Sequence, residues 1–200
     1  MKKIFKAILA ISIIGAMALG FAACGGNGGS DAIAVISREE GSGTRGAFVE
    51  LTGVEVDKVD KTVSTAEISS STAVVMQTVA GNKAAIGYIS LGSLDDTVKA
   101  VKVDGVEATA DNVKNGTYPI CRPFNIATKG DLSDAAKDFI AFIQSDEGQQ
   151  VITDKGCVST GSTGAFTSAN PTGTVVVEGS SSVTPVMEKL AEAYMAINSG

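Results

Sequence analysis

One stretch decides how this chain folds: Val35-Ile36-Ser37-Arg38-Glu39-Glu40-Gly41-Ser42-Gly43-Thr44-Arg45-Gly46-Ala47-Phe48. It is typical of a buried strand that ends in a tight turn and continues into a helix. Such an arrangement directs backbone N–H groups and two hydroxyls to one point, which favours an anion. Arg38 adds a planar set of donors suited to an oxyanion. We call residues 38–44 the Arg38 turn, with Arg38, Ser42, Gly43 and Thr44 as its candidate ligand-binding residues.

The composition of the 200 residues excludes several functions. Histidine is absent, so neither a Ser-His-Asp triad nor a Cys-His pair nor an imidazole metal site can form. The formal net charge of −6 disfavours nucleic acid as a partner. A nucleotide P-loop is disfavoured because no lysine follows the glycine-rich turn. We therefore expect no metal and no cofactor.

Residues 1–23 have the layout of an export signal. Three lysines precede an apolar run that ends at about Leu19, and small residues come before a cysteine. The sequence Leu19-Gly20-Phe21-Ala22-Ala23-Cys24-Gly25 resembles a bacterial lipoprotein signal, which implies cleavage before Cys24 and a lipid on that residue. A plain secretory signal and a retained membrane helix remain alternatives. The glycine-rich residues 24–30 have the composition of a flexible tether.

Predicted strands and helices alternate through the rest of the chain. Apolar runs predict strands at 32–36, 84–89 and 174–178, an extended segment at 118–128, and a hairpin at 98–108 with its turn at Asp104-Gly105. Caps and helical periodicity predict helices at 44–51, 72–80, after Ser133 and at 146–155, and a short helical turn at 109–116. Residues 54–68 are polar and predict no regular element. The alternation predicts an α/β fold with mainly parallel strand pairing.

A second strand–turn–helix pattern ends the chain. Gly179-Ser180-Ser181-Ser182 follows the predicted strand 174–178, and Thr184-Pro185 is typical of an N-cap followed by the first residue of a helix. By itself this serine turn, residues 179–182, could simply cap the helix. Together with the Arg38 turn, it predicts a second set of anion donors.

Four stretches resemble one family, the phosphate ABC-transporter substrate-binding proteins. They lie at residues 37–48, 85–89, 138–149 and 179–190. The resemblance implies a two-lobed type II periplasmic-binding-protein (Venus flytrap) architecture and no enzymatic activity. It also implies that inorganic phosphate binds to Arg38, Ser42, Gly43 and Thr44 of one lobe and to Ser181 and Ser182 of the other. Glu40 occupies the position of a carboxylate that holds the arginine.

The resemblance also sets the expected domains. It implies one lobe over residues 31–117, and a crossing segment with part of the opposing lobe over residues 118–200. In most of the family the serine turn precedes the arginine turn, whereas here it follows. We interpret this order as a circular permutation, which domains tolerate when their termini lie close together. It leads us to expect an architecture that is incomplete in these 200 residues, with the residue that accepts the phosphate proton beyond Gly200.

The leading hypothesis is a monomeric, lipid-anchored receptor on the extracytoplasmic face of the cell membrane. It would deliver phosphate to the permease subunits of an ABC importer. An anion-sensing or adhesive surface lipoprotein without a transport role would share every binding residue. A surface hydrolase using Ser42 would need a lysine base, and no Ser-x-x-Lys pattern lies near the turn. Cys121 and Cys157 are predicted to be buried free thiols, and a disulfide, which is permitted outside the membrane, remains the alternative.

Overall fold

The computed structural model describes residues 32–198 and Gly200. Residues Ile33–Gly200 form one compact unit. The predicted export signal, the lipid on Cys24 and the tether 24–30 lie outside the described residues. Within the described part, no helix combines the length and the apolar character needed to cross a bilayer.

Short strands and helices alternate along the described chain. In order they are β1 (Ala34–Arg38), α1 (Gly43–Leu51), β2 (Glu55–Val56), β3 (Val59–Asp60), β4 (Glu67–Ser69), α2 (Thr72–Gly81), β5 (Ala85–Gly87), a 3-10 helix (Leu91–Ser93), α3 (Ala110–Lys114), α4 (Asp134–Gln144), α5 (Asp146–Asp154) and α6 (Thr184–Ile197).

A three-stranded parallel sheet positions the Arg38 turn. Its order is β4-β1-β5, so the apolar β1 lies in the centre, as a strand buried on both faces should. Helix α2 covers one face through the buried Val75. It can approach closely because a Cβ on Gly87 would lie only 2.8 Å from a methyl of Val75. The register pairs Arg38 with Ser69, so the carboxyl ends of β1 and β4 meet at the same edge of the sheet.

Helices α4, α5 and α6 pack around a separate apolar cluster. Its buried members are Phe139, Phe142, Ile143, Val186, Leu190 and Tyr194. Helix α4 begins where predicted, because the Ser133 hydroxyl accepts a hydrogen bond from the Ala136 N–H at 3.2 Å. Helix α5 approaches α4 so closely that a Cβ on Gly148 would overlap the Phe142 carbonyl oxygen. This cluster is the largest apolar core among the described residues.

Two predicted extended segments do not form strands. Residues 174–178 and 118–128 have no strand pairing in the described structure. The apolar run at 174–178 is largely exposed, with Val176 80% and Val177 50% accessible to solvent. A strand requires a neighbour to satisfy its backbone N–H and C=O groups, and no strand among the described residues pairs with either segment.

The hairpin predictions are partly wrong. The turn at Asp104-Gly105 is confirmed, with φ of 50° and 80°, but its flanking strands reduce to a single bridge between Val103 and Val106. Conversely, residues 54–68 contain a tight hairpin, β2–β3, and strand β4. Helix α6 begins at Thr184 after a Val183 N-cap, so Pro185 is its second residue, where it is still tolerated. Both described cysteines are free, but neither is buried as predicted: Cys121 is exposed and Cys157 is half-buried.

Candidate functional site

Arg38 is the last residue of β1 and is 1% exposed. Its Nε and Nη2 donate to the two carboxylate oxygens of Glu39 at 2.8 and 2.9 Å, and Nε also lies 3.3 Å from the Ser69 carbonyl oxygen. The hydrogen bond from Arg38 lowers the pKa of the Glu39 carboxyl below its ordinary value. The guanidinium is therefore fixed along one edge by a bidentate ion pair.

The prediction that Glu40 holds Arg38 is wrong. Glu40 is exposed, and Glu39 makes the ion pair. The strand ends at Arg38 and the chain turns at Glu40 and Gly41, where Gly41 adopts a φ of 81°. This turn directs the second acidic side chain away from the guanidinium.

The N-terminus of α1 supplies the remaining groups of the Arg38 turn. Ser42 is its buried N-cap, and its hydroxyl accepts from the Arg45 N–H at 3.4 Å. The first helical hydrogen bond runs from the Gly46 N–H to the Ser42 carbonyl. The N–H groups of Gly43 and Thr44 therefore precede the helical ladder and point out of the helix start, where an anion is stabilised.

The serine turn contacts the Arg38 turn directly. Nη2 of Arg38 donates to the Ser181 hydroxyl at 2.9 Å, across 143 residues of sequence. The hydroxyls of Thr44 and Ser182 hydrogen-bond to each other, and Ser182 is only 4% exposed. Ser90, before the 3-10 helix, donates to the Ser182 carbonyl at 3.1 Å and holds the turn in place. The structure thus brings the two predicted sets of donors together.

Thr72 also lies in this cluster, and the sequence interpretation missed it. It is the first residue of α2, is 5% exposed, and its Oγ1 lies 3.2 Å from Nη1 of Arg38. The signal that could have found it is a Ser/Thr run at a helix start, the same pattern as in the other two turns. By itself that run predicts only a helix cap, because the sequence does not predict β4 and does not place α2 beside β1.

The backbone of Arg38 is held on both sides. Its N–H donates to the Tyr88 hydroxyl at 3.0 Å, and that hydroxyl is 2.8 Å from the Ser37 hydroxyl. Its carbonyl accepts from Nη1 of Arg45 at 2.9 Å. The Tyr88 ring stacks on Phe48 of α1, with centroids 4.1 Å apart and planes 6° from parallel. These contacts fix β1, β5 and α1 relative to one another at the site.

Arg45 is itself fixed by Asp60 of the β2–β3 hairpin, whose Oδ2 lies 2.7 Å from Arg45 Nε. The other carboxylate oxygen, Oδ1, accepts from the hydroxyl and backbone N–H of Thr62 at 2.6 and 2.7 Å. These bonds, with Arg45, lower the pKa of Asp60 to about 2. The carboxylate is thus ionised at neutral pH and orients Arg45 toward Arg38.

The assembled groups are hydrogen-bond donors around one guanidinium. Hydroxyls of Thr44, Thr72, Ser181 and Ser182 and the start of α1 converge near Arg38. Donors of this kind suit a tetrahedral oxyanion. Among the described residues, no lysine side chain hydrogen-bonds to Ser42, so none of them is placed as a base to activate its hydroxyl. In the described part, no cluster of three or more Cys, Asp or Glu residues could hold a metal ion.

Comparison with known proteins shows the class of protein to which this chain is similar. The family described as "PBP superfamily domain" matches residues 5–147. The protein named "Phosphate-binding protein PstS 2" from Streptococcus pneumoniae serotype 4 is 48% identical over 205 residues, which cover 97% of this chain and 70% of that relative.

Solved structures similar to this chain are also phosphate-binding proteins. A phosphate-binding protein of a phosphate ABC transporter from Streptococcus pneumoniae TIGR4 has a TM-score of 0.66 and 51% identity, and the match covers 84% of this chain and 67% of that one. A protein described as a phosphate ABC transporter substrate-binding protein with bound phosphate, from Clostridium perfringens, has a TM-score of 0.59 and 44% identity over 64% of this chain and 52% of that one. The chain therefore belongs to the phosphate-binding proteins of the PBP superfamily, which confirms the predicted family and fold class.

Proposed function

We propose that this chain is the substrate-binding receptor of a phosphate importer. The observation that carries the proposal is the hydrogen bond from the buried Arg38 to Ser181, which joins the two anion turns into one donor cluster. Membership of the phosphate-binding proteins supports phosphate as the ligand.

The proposed phosphate-binding residues are Arg38, Ser42, Gly43, Thr44, Ser181 and Ser182. Arg38 supplies charge-assisted hydrogen bonds, while Glu39 holds the edge of the guanidinium formed by Nε and Nη2. The helix start at Gly43 and Thr44 supplies backbone N–H groups, and the hydroxyls complete the shell. Because Arg38, Ser42 and Ser182 are buried, their hydrogen bonds to an anion are stronger than they would be at the surface.

The protein's partners and location form the second part of the proposal. It acts outside the cytoplasm, anchored to the membrane by lipid on Cys24, and as a monomer delivers phosphate to the permease subunits of an ABC transporter. Its two lobes divide at residues 117 and 118, and it carries out no chemistry on its ligand. The names of one relative, a phosphate-binding protein, and of one solved structure, a phosphate-binding protein of a phosphate ABC transporter, support the delivery of phosphate to a transporter.

Isothermal titration calorimetry of the full chain with inorganic phosphate and with sulfate tests the ligand. We expect phosphate to bind and Arg38→Ala to raise the Kd at least about a hundredfold, because charge-assisted hydrogen bonds contribute about 1.5–3 kcal/mol each. Arg122→Ala is the matched control, since Arg122 is exposed and pairs with Glu50 outside the cluster. Absence of phosphate binding, or equal loss of affinity in the two variants, would contradict the proposal.

A further inference from the structure

The parallel pairing of β1 and β4 places Thr72 beside Arg38. Ser69 ends β4 opposite Arg38 in the register, and two residues separate it from the start of α2. Thr72 is thus held at the edge of the sheet by backbone geometry. It is a β-branched residue with few accessible rotamers, so its hydroxyl position is well defined.

The Thr72 hydroxyl contacts residues from both anion turns. Its Oγ1 lies 3.2 Å from Nη1 of Arg38 and 3.3 Å from both the Ser181 and the Ser182 hydroxyl oxygens. The Thr72 side chain therefore contacts three of the six proposed phosphate-binding residues. It lies at the start of α2, a helix that contributes none of those six.

The number of donors and acceptors on a hydroxyl determines which hydrogen bonds Thr72 can make. A hydroxyl has one hydrogen and two lone pairs, and the guanidinium can only donate, so Thr72 accepts from Arg38 and keeps its own hydrogen. The acceptors that face this hydrogen are the Ser181 and Ser182 oxygens at 3.3 Å. Hydroxyl hydrogen bonds prefer about 2.7–2.8 Å, so both contacts are long.

A phosphate oxygen would be a stronger and closer acceptor for that hydrogen. Hydrogen bonds to an ionised acceptor are shorter and about twice as strong as those between neutral groups. Nη1 of Arg38 has a second hydrogen for which the described residues offer no hydrogen-bond partner. One anion oxygen beside Thr72 could therefore accept from the threonine and from the guanidinium together.

We propose that Thr72 is a further phosphate-binding residue, which accepts from Arg38 and donates its hydroxyl hydrogen to the anion. This inference rests on the proposed function. It adds the N-terminus of α2 to the two turns as a third source of ligand contacts, and it assigns to Thr72 a role beyond packing at the start of a helix.

Calorimetry of the full chain with inorganic phosphate tests this with three variants. Thr72→Val keeps the shape and removes the hydroxyl, Thr72→Ser keeps the hydroxyl, and Thr78→Val makes the same change in the half-buried part of α2 away from the cluster. We expect Thr72→Val to raise the Kd about ten- to a hundredfold. We expect Thr72→Ser to stay within about threefold of the wild type and Thr78→Val to match it.

Thermal unfolding with and without phosphate separates binding from folding. Each variant is compared with its own ligand-free Tm, so a general loss of stability does not enter the phosphate-induced shift. An equal shift in Thr72→Val and Thr78→Val would overturn the inference, as would equal weakening by Thr72→Val and Thr72→Ser. If the wild type itself fails to bind phosphate, the proposed function fails; if it binds and Thr72→Val binds equally well, only the role of Thr72 is lost.

Discussion

The anion-site region and the helical core use burial in opposite ways. Helices α4–α6 bury an apolar cluster of three aromatic and three aliphatic residues. The site region, formed by the sheet edge, the starts of α1 and α2 and the serine turn, buries polar side chains. Of the eight buried polar residues in the described chain, six belong to it: Ser37, Arg38, Ser42, Ser69, Thr72 and Ser182.

This difference teaches that stability and ligand recognition are assigned to different parts of the chain. Apolar burial stabilises in proportion to area and needs no specific partner. Buried polar groups need a partner for every donor and acceptor, and each unmet one is destabilising. In the described chain every buried side-chain nitrogen and oxygen has a hydrogen-bond partner. Substitutions in the core should therefore change folding, whereas those in the site should chiefly change binding.

The largest expected effect is in the helical core. Phe142 is 2% exposed, and its ring lies 5.6 Å from that of Tyr194 and 5.3 Å from that of Phe166. Phe142→Ala leaves a cavity and should lower the free energy of unfolding by about 3–5 kcal/mol. Urea unfolding measures this, with Phe124→Ala as the control because Phe124 is 52% exposed. A similar loss in both variants would contradict the separation of the two regions.

A smaller effect is expected where the site is fixed to the sheet. Tyr88→Phe keeps the stacking on Phe48 but leaves the Arg38 N–H without its acceptor, and should lower the unfolding free energy by about 1–3 kcal/mol. It should also weaken phosphate binding, because the Arg38 backbone is then less restrained. Tyr118→Phe is the control, since the Tyr118 hydroxyl has no hydrogen-bond partner among the described residues. If the two variants unfold alike, the Tyr88 hydroxyl does not hold the site.

The smallest expected effect is on the free energy of unfolding at acidic pH. The pKa of Asp60 falls from 3.8 to about 2 on folding, so its stabilisation is complete above about pH 4 and is lost as the pH falls toward 2. The partly exposed carboxylate should contribute roughly 1–2 kcal/mol to the pH dependence of unfolding over that range. Asp60→Asn should remove this contribution. Asp57→Asn, in the same hairpin, should retain it, and identical acid profiles for the two would contradict the role of Asp60.

The helical core was the more predictable region, because its signals are local. Ser133 marks the start of α4, as observed. Helical spacing predicts one apolar face with Ala136, Phe139, Ile140 and Ile143. The structure buries Phe139 and Ile143 as expected, but it buries Ala135 and Phe142 in place of Ala136 and Ile140. Gly148 of α5 lies against the backbone of Phe142 and Ile143, so this end of α4 contacts a second helix that a local sequence window does not reveal.

The site could be predicted only in part. The Arg38 turn and the serine turn were identified from residue types, and the structure brings them together. The sequence could not decide between Glu39 and Glu40, because the choice depends on where the turn begins. Nor could it place Thr72, since its proximity to Arg38 follows from the parallel pairing of β1 with a strand of only three residues.

The strand predictions that are wrong also result from pairing between segments that are distant in sequence. Residues 174–178 have strand composition, and Glu67–Ser69 has little, yet only the latter forms a strand. Pairing with a neighbour decides this, and pairing is not encoded in a local window. What the sequence defined well were the groups that depend on their immediate neighbours.

The sequence separation of 143 positions between Arg38 and Ser181 also affects how the molecule folds. Contacts between such distant positions require closure of a long loop, and folding slows as the average separation of contacting residues rises. We expect the sheet edge and the helical core to form first and the donor cluster to close last. An anion held by both turns would then stabilise only the fully folded chain, by RT ln(1 + [L]/Kd). The ligand would thus favour completion of the fold and protect the finished protein from unfolding and proteolysis.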